Sequence, residues 1–128
     1  MKDKRLTIVI NKPLQAVFDF TLDPLNTPKW VGSIVQETRN ETPTKLGTVY
    51  KNQNNKGEWS EYEVTEFEPN KVFVMSQKNG SYHVKYTFLP VSENQTELEY
   101  YEYVDNGEIS QPFTQEVLQK LKVVMEQE

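Results

Sequence analysis

Glu102 is the side chain best placed to do chemistry. Leu98, Tyr100, Glu102 and Val104 recur at two-residue spacing, and a strand turns alternate side chains to the same face. If Leu98 and Tyr100 face an apolar interior, Glu102 follows them. Desolvation there would raise its pKa and suit it to proton transfer. The competing expectation is a rim carboxylate, solvated or paired with Arg39 or Lys85. His83 is the single histidine. A Ser-His-Asp relay would need it, yet its alternation with Tyr82 and Val84 predicts an outward, surface histidine. With no Cys and one His, only carboxylates remain as metal ligands, and their spacing forms no calcium loop, so no metal site is expected. The five glycines, at 32, 47, 57, 80 and 107, are too scattered to cradle a phosphate. No cofactor is expected.

The chain that must position these groups has 128 residues, enough for one domain spanning 1–128 with one core and one cavity. Its formal net charge is −5 and it has no basic run, which argues against nucleic acid as a partner. Apolar residues are only 36% of the total, but aromatics reach 12%, and their large buried area can carry a core from few residues. The apolar stretch Leu6 to Ile10 is too short for a membrane span or a signal-peptide core, so no integral membrane association is expected. Together with the absence of Cys, this predicts a cytoplasmic protein.

Leu6, Ile8 and Ile10 alternate and predict a first strand. Leu14, Val17, Phe18 and Leu22 form the stripe of a short helix that begins after Pro13 and ends near Asp23. Asp23-Pro24 starts a second, shorter helix that Pro28 interrupts before Trp30. From Ser33 to Val104, β-branched and aromatic runs alternate with turn residues and predict six strands, at about 34–41, 48–53, 58–68, 71–77, 82–90 and 96–104, joined as an antiparallel meander. Phe113, Val117, Leu118, Leu121, Val124 and Met125 then share one helical stripe. They predict a final helix over 112–126, about 22 Å long at 1.5 Å per residue, with Ser110 as N-cap and Pro112 in its first turn. Glu126 and Glu128 place negative charge at its negative pole, which predicts a frayed end.

Several segments resemble the landmarks of the START-related superfamily, and more narrowly its bacterial polyketide-cyclase/dehydrase and lipid-transport branch (SRPBCC). They are Ile8 and Ile10 before Pro13, Val17-Phe18, the stretch from Asp23 to Trp30, Gly47-Thr48-Val49-Tyr50, Val64 through Pro69, Tyr86-Thr87-Phe88 and Thr96 through Tyr100. The resemblance covers nearly the whole chain and rests on order and spacing. It implies an α+β helix-grip fold: a curved seven-stranded antiparallel sheet, in the order β-α-α-β6-α, wrapped around a C-terminal helix. The sequence departs from that pattern in a shorter last helix.

The family commonly holds a ligand between the concave face and the final helix. Parity then implies an inward set of Tyr82, Val84, Tyr86 and Phe88 on one strand and Leu98, Tyr100 and Glu102 on the next, with Phe113, Val117 and Leu121 opposite. Trp30, Tyr50, Trp59, Tyr62, Phe73 and Met75 complete the candidates; strands three to five show no clean phase. The function this resemblance implies is binding of a small hydrophobic or lipid-like ligand. One alternative is a cofactor-independent cyclase or dehydratase, with Glu102 transferring a proton and Tyr86 or Tyr100 orienting the substrate. The other is a protein-interaction module like the superfamily's chaperone activators, which predicts a filled interior. Tyr101 and Tyr103, on the opposite phase, are the residues through which a homodimer would form.

Overall fold

A computed structural model describes residues 2–127; Glu128, part of the expected frayed end, lies outside them. The elements run β1 (Asp3–Ile10), α1 (Leu14–Leu22), α2 (Thr27–Trp30), β2 (Ile34–Arg39), β3 (Val49–Asn54), β4 (Trp59–Glu68), β5 (Val72–Gln77), β6 (Tyr82–Ser92), β7 (Gln95–Val104) and α3 (Gln115–Glu126). The seven strands form one antiparallel sheet in the order β1-β7-β6-β5-β4-β3-β2, so the first strand closes against the last. Five consecutive connections, from β2 to β7, join antiparallel neighbours directly. At the β3–β4 turn the Asn54 carboxamide accepts from the N–H groups of Lys56 and Glu58, while Gly57 takes a φ of +82° that a Cβ would strain.

Helices α1 and α3 cover the concave face. Phe18 of α1 drives its ring among Phe67, Phe73 and Phe88, with centroids 5.8, 5.9 and 5.1 Å away. Leu118, Leu121 and Met125 bury the inner face of α3 against Ile8, Ile10 and Leu98 in the same core cluster. Val117, expected on that face, sits at its margin and is only partly buried. Helix α3 is also tied to the edge of β1. The Gln115 carboxamide donates to the Thr7 carbonyl at 3.0 Å, and the Lys122 ammonium donates to the Val9 carbonyl at 2.8 Å. These bonds satisfy carbonyls that an edge strand would otherwise leave open to another chain.

Three local expectations change. Pro28 stands in the first turn of α2, where its missing N–H costs nothing, instead of interrupting that helix. Helix α3 begins at Gln115 with Thr114 as N-cap, because the segment before it stays extended and lends the Phe113 N–H to Glu102. The helix continues through Glu126, whose carboxylate pairs with Lys122 at 2.6 Å and accepts the Asn11 N–H at 2.8 Å. The Lys122 hydrogen bond, followed by that of Asn11, holds its carboxyl below the usual range, so the charge at the helix end is compensated.

Candidate functional site

Two strand irregularities decide which side chains reach the concave face. In β2 the register with β3 shifts between Ile34 and Gln36, so Val35 and Gln36 are both exposed and inward residues resume at Glu37. In β4 the register with β5 shifts between Val64 and Glu66, moving the inward phase from Tyr62 and Val64 to Phe67. An extra residue in one strand re-aims everything beyond it. This is why these strands show no clean alternation in sequence, and why Glu37 escaped the candidate set.

Between the sheet, α2 and the segment before α3 lies a cavity of about 110 Å³. Nine of the anticipated residues line it: Trp30, Tyr62, Phe73, Met75, Tyr82, Val84, Tyr86, Tyr100 and Phe113. Thr21, Thr27, Ile34, Glu37 and Asn52 complete the wall. The cavity shares Ile34, Asn52, Tyr62, Tyr82 and Phe113 with an outer groove of about 350 Å³ that runs along Ser33, Asn54, Ser81 and Ile109. Those shared residues form a neck between an aromatic inner chamber and a more polar vestibule. Phe113 is fixed there by stacking on Tyr100, centroids 4.4 Å apart and planes 1° from parallel, and by edge contact with Trp30 at 6.1 Å.

The remaining candidates lie away from this wall. Phe88, Leu98 and Leu121 are core residues without exposure that matters, and Val117 packs at the core's edge. Tyr50 is buried beneath α1, its hydroxyl donating to the Leu22 carbonyl at 2.6 Å. Trp59 is 51% exposed and borders a separate open groove with Thr38 and Lys51.

Glu102 is turned inward, as parity requires, and has no exposed surface. It is neither solvated at a rim nor paired with Arg39 or Lys85. Its Oε1 accepts from the Tyr82 hydroxyl at 2.6 Å and the Tyr100 hydroxyl at 3.4 Å, and its Oε2 from the Phe113 N–H at 2.8 Å. The carboxyl group therefore stands behind the cavity wall and ties β6, β7 and the pre-α3 segment together. Burial first, and the hydrogen bond to Glu102 second, pushes the Tyr82 phenol well above its usual range. Tyr100 is raised as well, burial again being the main cause. Both are neutral hydroxyls at physiological pH.

Tyr86 differs from them. It is 9% exposed and lines the cavity, yet its hydroxyl has no hydrogen-bond partner among the described residues. Burial, then the charges of Glu37 and Glu102, pushes its pKa up. Trp30 is a second such group: its indole N–H is buried and unpartnered. Leaving a buried donor unpaired costs about 1–3 kcal/mol.

Glu37 brings a carboxyl group into the same wall. Its Oε1 accepts from the Thr27 hydroxyl at 2.6 Å and its Oε2 from the Asn52 carboxamide at 3.3 Å. Burial raises its pKa, and the two hydrogen bonds only partly oppose that. A carboxyl whose native pKa exceeds its unfolded value stabilises the fold fully below the unfolded value, and that contribution is lost as pH rises through the native one. Ionising this carboxyl group in the folded chain is thus a cost. Glu37→Gln is expected to raise the melting temperature by a few degrees at pH 7 and to lose that advantage below the unfolded pKa of 4.5, as followed by calorimetry at the two pH values.

On the opposite face His83 is outward, as anticipated, but it is not alone. Its Nδ1 lies 2.7 Å from Ser76 Oγ and its Nε2 2.7 Å from Asp105 Oδ2, and its ring stacks on Tyr103 at 4.8 Å. The three residue types of a hydrolytic relay are therefore in line. Ser76, however, is paired with His83 inside the β5–β6 ladder, which commits the local backbone to the sheet instead of to an oxyanion. Tyr101 and Tyr103 stack on one another at 5.1 Å, and Arg5 lies 4.2 Å over the Tyr101 ring, so these rings are half-buried by mutual contact.

A curled seven-stranded antiparallel sheet closed by a C-terminal helix defines a START-like helix-grip protein, although the cavity lies beside α2 and the segment before α3, with no residue of α3 in its wall, and not between the sheet and that helix as expected. The profile of the family described as "Polyketide cyclase / dehydrase and lipid transport" matches residues 1–126, and the chain belongs to that family. Solved structures share the fold at low identity. A START superfamily protein from Mycobacterium smegmatis superposes with a TM-score of 0.77 at 12% identity, covering 99% of each chain. An HSP90 activator from Plasmodium falciparum gives 0.72 at 18% identity, covering 98% of this chain and 97% of the other. The Aha1 dimer from Colwellia psychrerythraea gives 0.69 at 17% identity, covering 98% and 97%. No curated protein matches the chain. Among the described residues no helix is long and apolar enough to cross a membrane.

Proposed function

We propose that this protein binds a small, largely hydrophobic ligand in the cleft between the sheet and the segment leading into α3. The observation that carries the reading is a largely aromatic cavity whose wall includes Tyr86, a hydroxyl with no partner among the described residues, and Trp30, whose buried indole N–H is unpaired. A polar atom on a ligand can pair with the Tyr86 hydroxyl and so be oriented in the cavity. Size limits the class. Ligand pockets for drug-sized molecules run to about 300–1,000 Å³, and a cavity of about 150 Å³ takes benzene. At about 110 Å³ the inner chamber suits a single ring with modest relaxation of its walls, and the vestibule of about 350 Å³ takes whatever is attached. A long acyl chain would need the Phe113 segment to move.

Benzyl alcohol, followed by tryptophan fluorescence, is the first probe. It should saturate, and Tyr86→Phe should weaken it about tenfold, the worth of roughly one hydrogen bond, with the melting temperature unchanged or raised. Absence of saturation by benzyl alcohol and by toluene would remove the reading. The enzymatic alternative is favoured by one feature: Glu37 places an ionisable carboxyl group at the cavity itself. Turnover of a ring-forming or dehydrating substrate that Glu37→Gln abolishes would establish it.

A further inference from the structure

Glu37 brings a carboxyl group to the cavity wall, and no basic side chain lines the cavity beside it. Glu37 lines the inner chamber and its described partners are a hydroxyl and a carboxamide, both uncharged. No Lys, Arg or His lines the chamber or the vestibule. The bulge in β2 is what delivers Glu37 to this wall, on the same side as Ile34. Around it stand the aromatic rings of Trp30, Tyr62, Tyr82, Tyr86 and Phe113. Their faces carry the negative lobe of the ring quadrupole, which attracts cations most strongly where water is excluded.

We propose that the ligand is a small organic cation, a protonated amine on an apolar body of about one ring, whose ammonium is held by Glu37 and faced by the surrounding rings. The proposal rests on the cleft being a ligand site. It adds the charge, which apolar lining alone would not specify. An ammonium group brings donors only, and the wall offers acceptors for them: the Glu37 carboxylate, the Asn52 carboxamide oxygen, which faces no donor among the described residues, and the Tyr86 hydroxyl, which can accept as well as donate. An anionic ligand finds the reverse, with Glu37 repelling it and no cation to hold it.

Benzylamine, benzyl alcohol and benzoate have the same ring and differ in the charge of the head group, so calorimetric titration of the three at pH 7 isolates that charge. Benzylamine should bind at least tenfold more tightly than benzyl alcohol, and benzoate more weakly than either. Glu37→Gln should bring the amine down to the affinity of the alcohol while leaving the alcohol unchanged. The wild-type ratio needs no variant, so it stands even if the substitution disturbs folding. Equal affinity of amine and alcohol, tighter binding of benzoate, or an amine preference that survives Glu37→Gln would each overturn the cation while leaving the cleft a ligand site. Failure of all three probes would remove the ligand site, and the cation with it.

Discussion

Glu102→Ala should lower folding stability by about 3–5 kcal/mol, since each buried donor left without its acceptor costs roughly 1–3 kcal/mol and the side chain's packing is lost as well. The carboxyl group has no exposed surface and collects three donors, from Tyr82, Tyr100 and the Phe113 backbone. Alanine leaves the Phe113 N–H and one of the two hydroxyls without an acceptor, since Tyr82 and Tyr100, 3.2 Å apart, can then bond only to each other. Glu102→Gln should cost only about 1 kcal/mol, because its oxygen can still accept the Phe113 N–H while its amide donates to the Tyr82 hydroxyl, which then turns to serve Tyr100. Urea unfolding of the two variants measures the difference. An alanine variant within about 1 kcal/mol of the parent would show that the network does not anchor the fold. The effect bears on the cleft as well, since Phe113, at the neck, takes its position from Glu102.

Phe73→Ala should cost a similar amount, about 3–5 kcal/mol, the range for truncating a buried aromatic residue. Phe73 has no exposed surface; its ring stacks on Tyr86 at 4.5 Å and meets Phe18 and Phe88, both at 5.9 Å. It is also one wall of the inner chamber. Its loss therefore destabilises the core and enlarges the cavity in one step. A two-ring probe such as naphthalene should raise the melting temperature of the variant more than that of the parent, because binding to the native state alone stabilises it by mass action. An equal rise in both proteins would mean that the space left by Phe73 collapses and is not joined to the chamber.

Much of this architecture was legible in the residues. Tyr82, Val84, Tyr86 and Phe88 on β6, and Leu98, Tyr100 and Glu102 on β7, alternate without interruption because those strands pair over their inward stretch without a register shift. Parity alone therefore turned Glu102 inward. It failed on β2 and β4, where a single extra residue reversed the phase. Val35 and Thr65 are ordinary strand residues, and nothing in their side chains marks an insertion. Glu37, the carboxyl group that reaches the cavity, was hidden for that reason alone. The start of α3 was misplaced on a similar ground: Ser110 and Pro112 are good first-turn residues, but the Phe113 N–H had a better acceptor in Glu102, 11 positions back along the chain.

Local spacing thus determined which segments are strands and helices, how most of them face, and the family to which their order belongs. Burial is a property of one face of one element, and its record is periodic. The existence of a cavity, its size, and the meeting of Glu37 with Tyr86 and Trp30 were decided only in three dimensions. Empty space is what remains after side chains from β2 to β7 and from α2 have packed as closely as their shapes permit. No single segment carries that remainder, nor the set of polar groups that meet there.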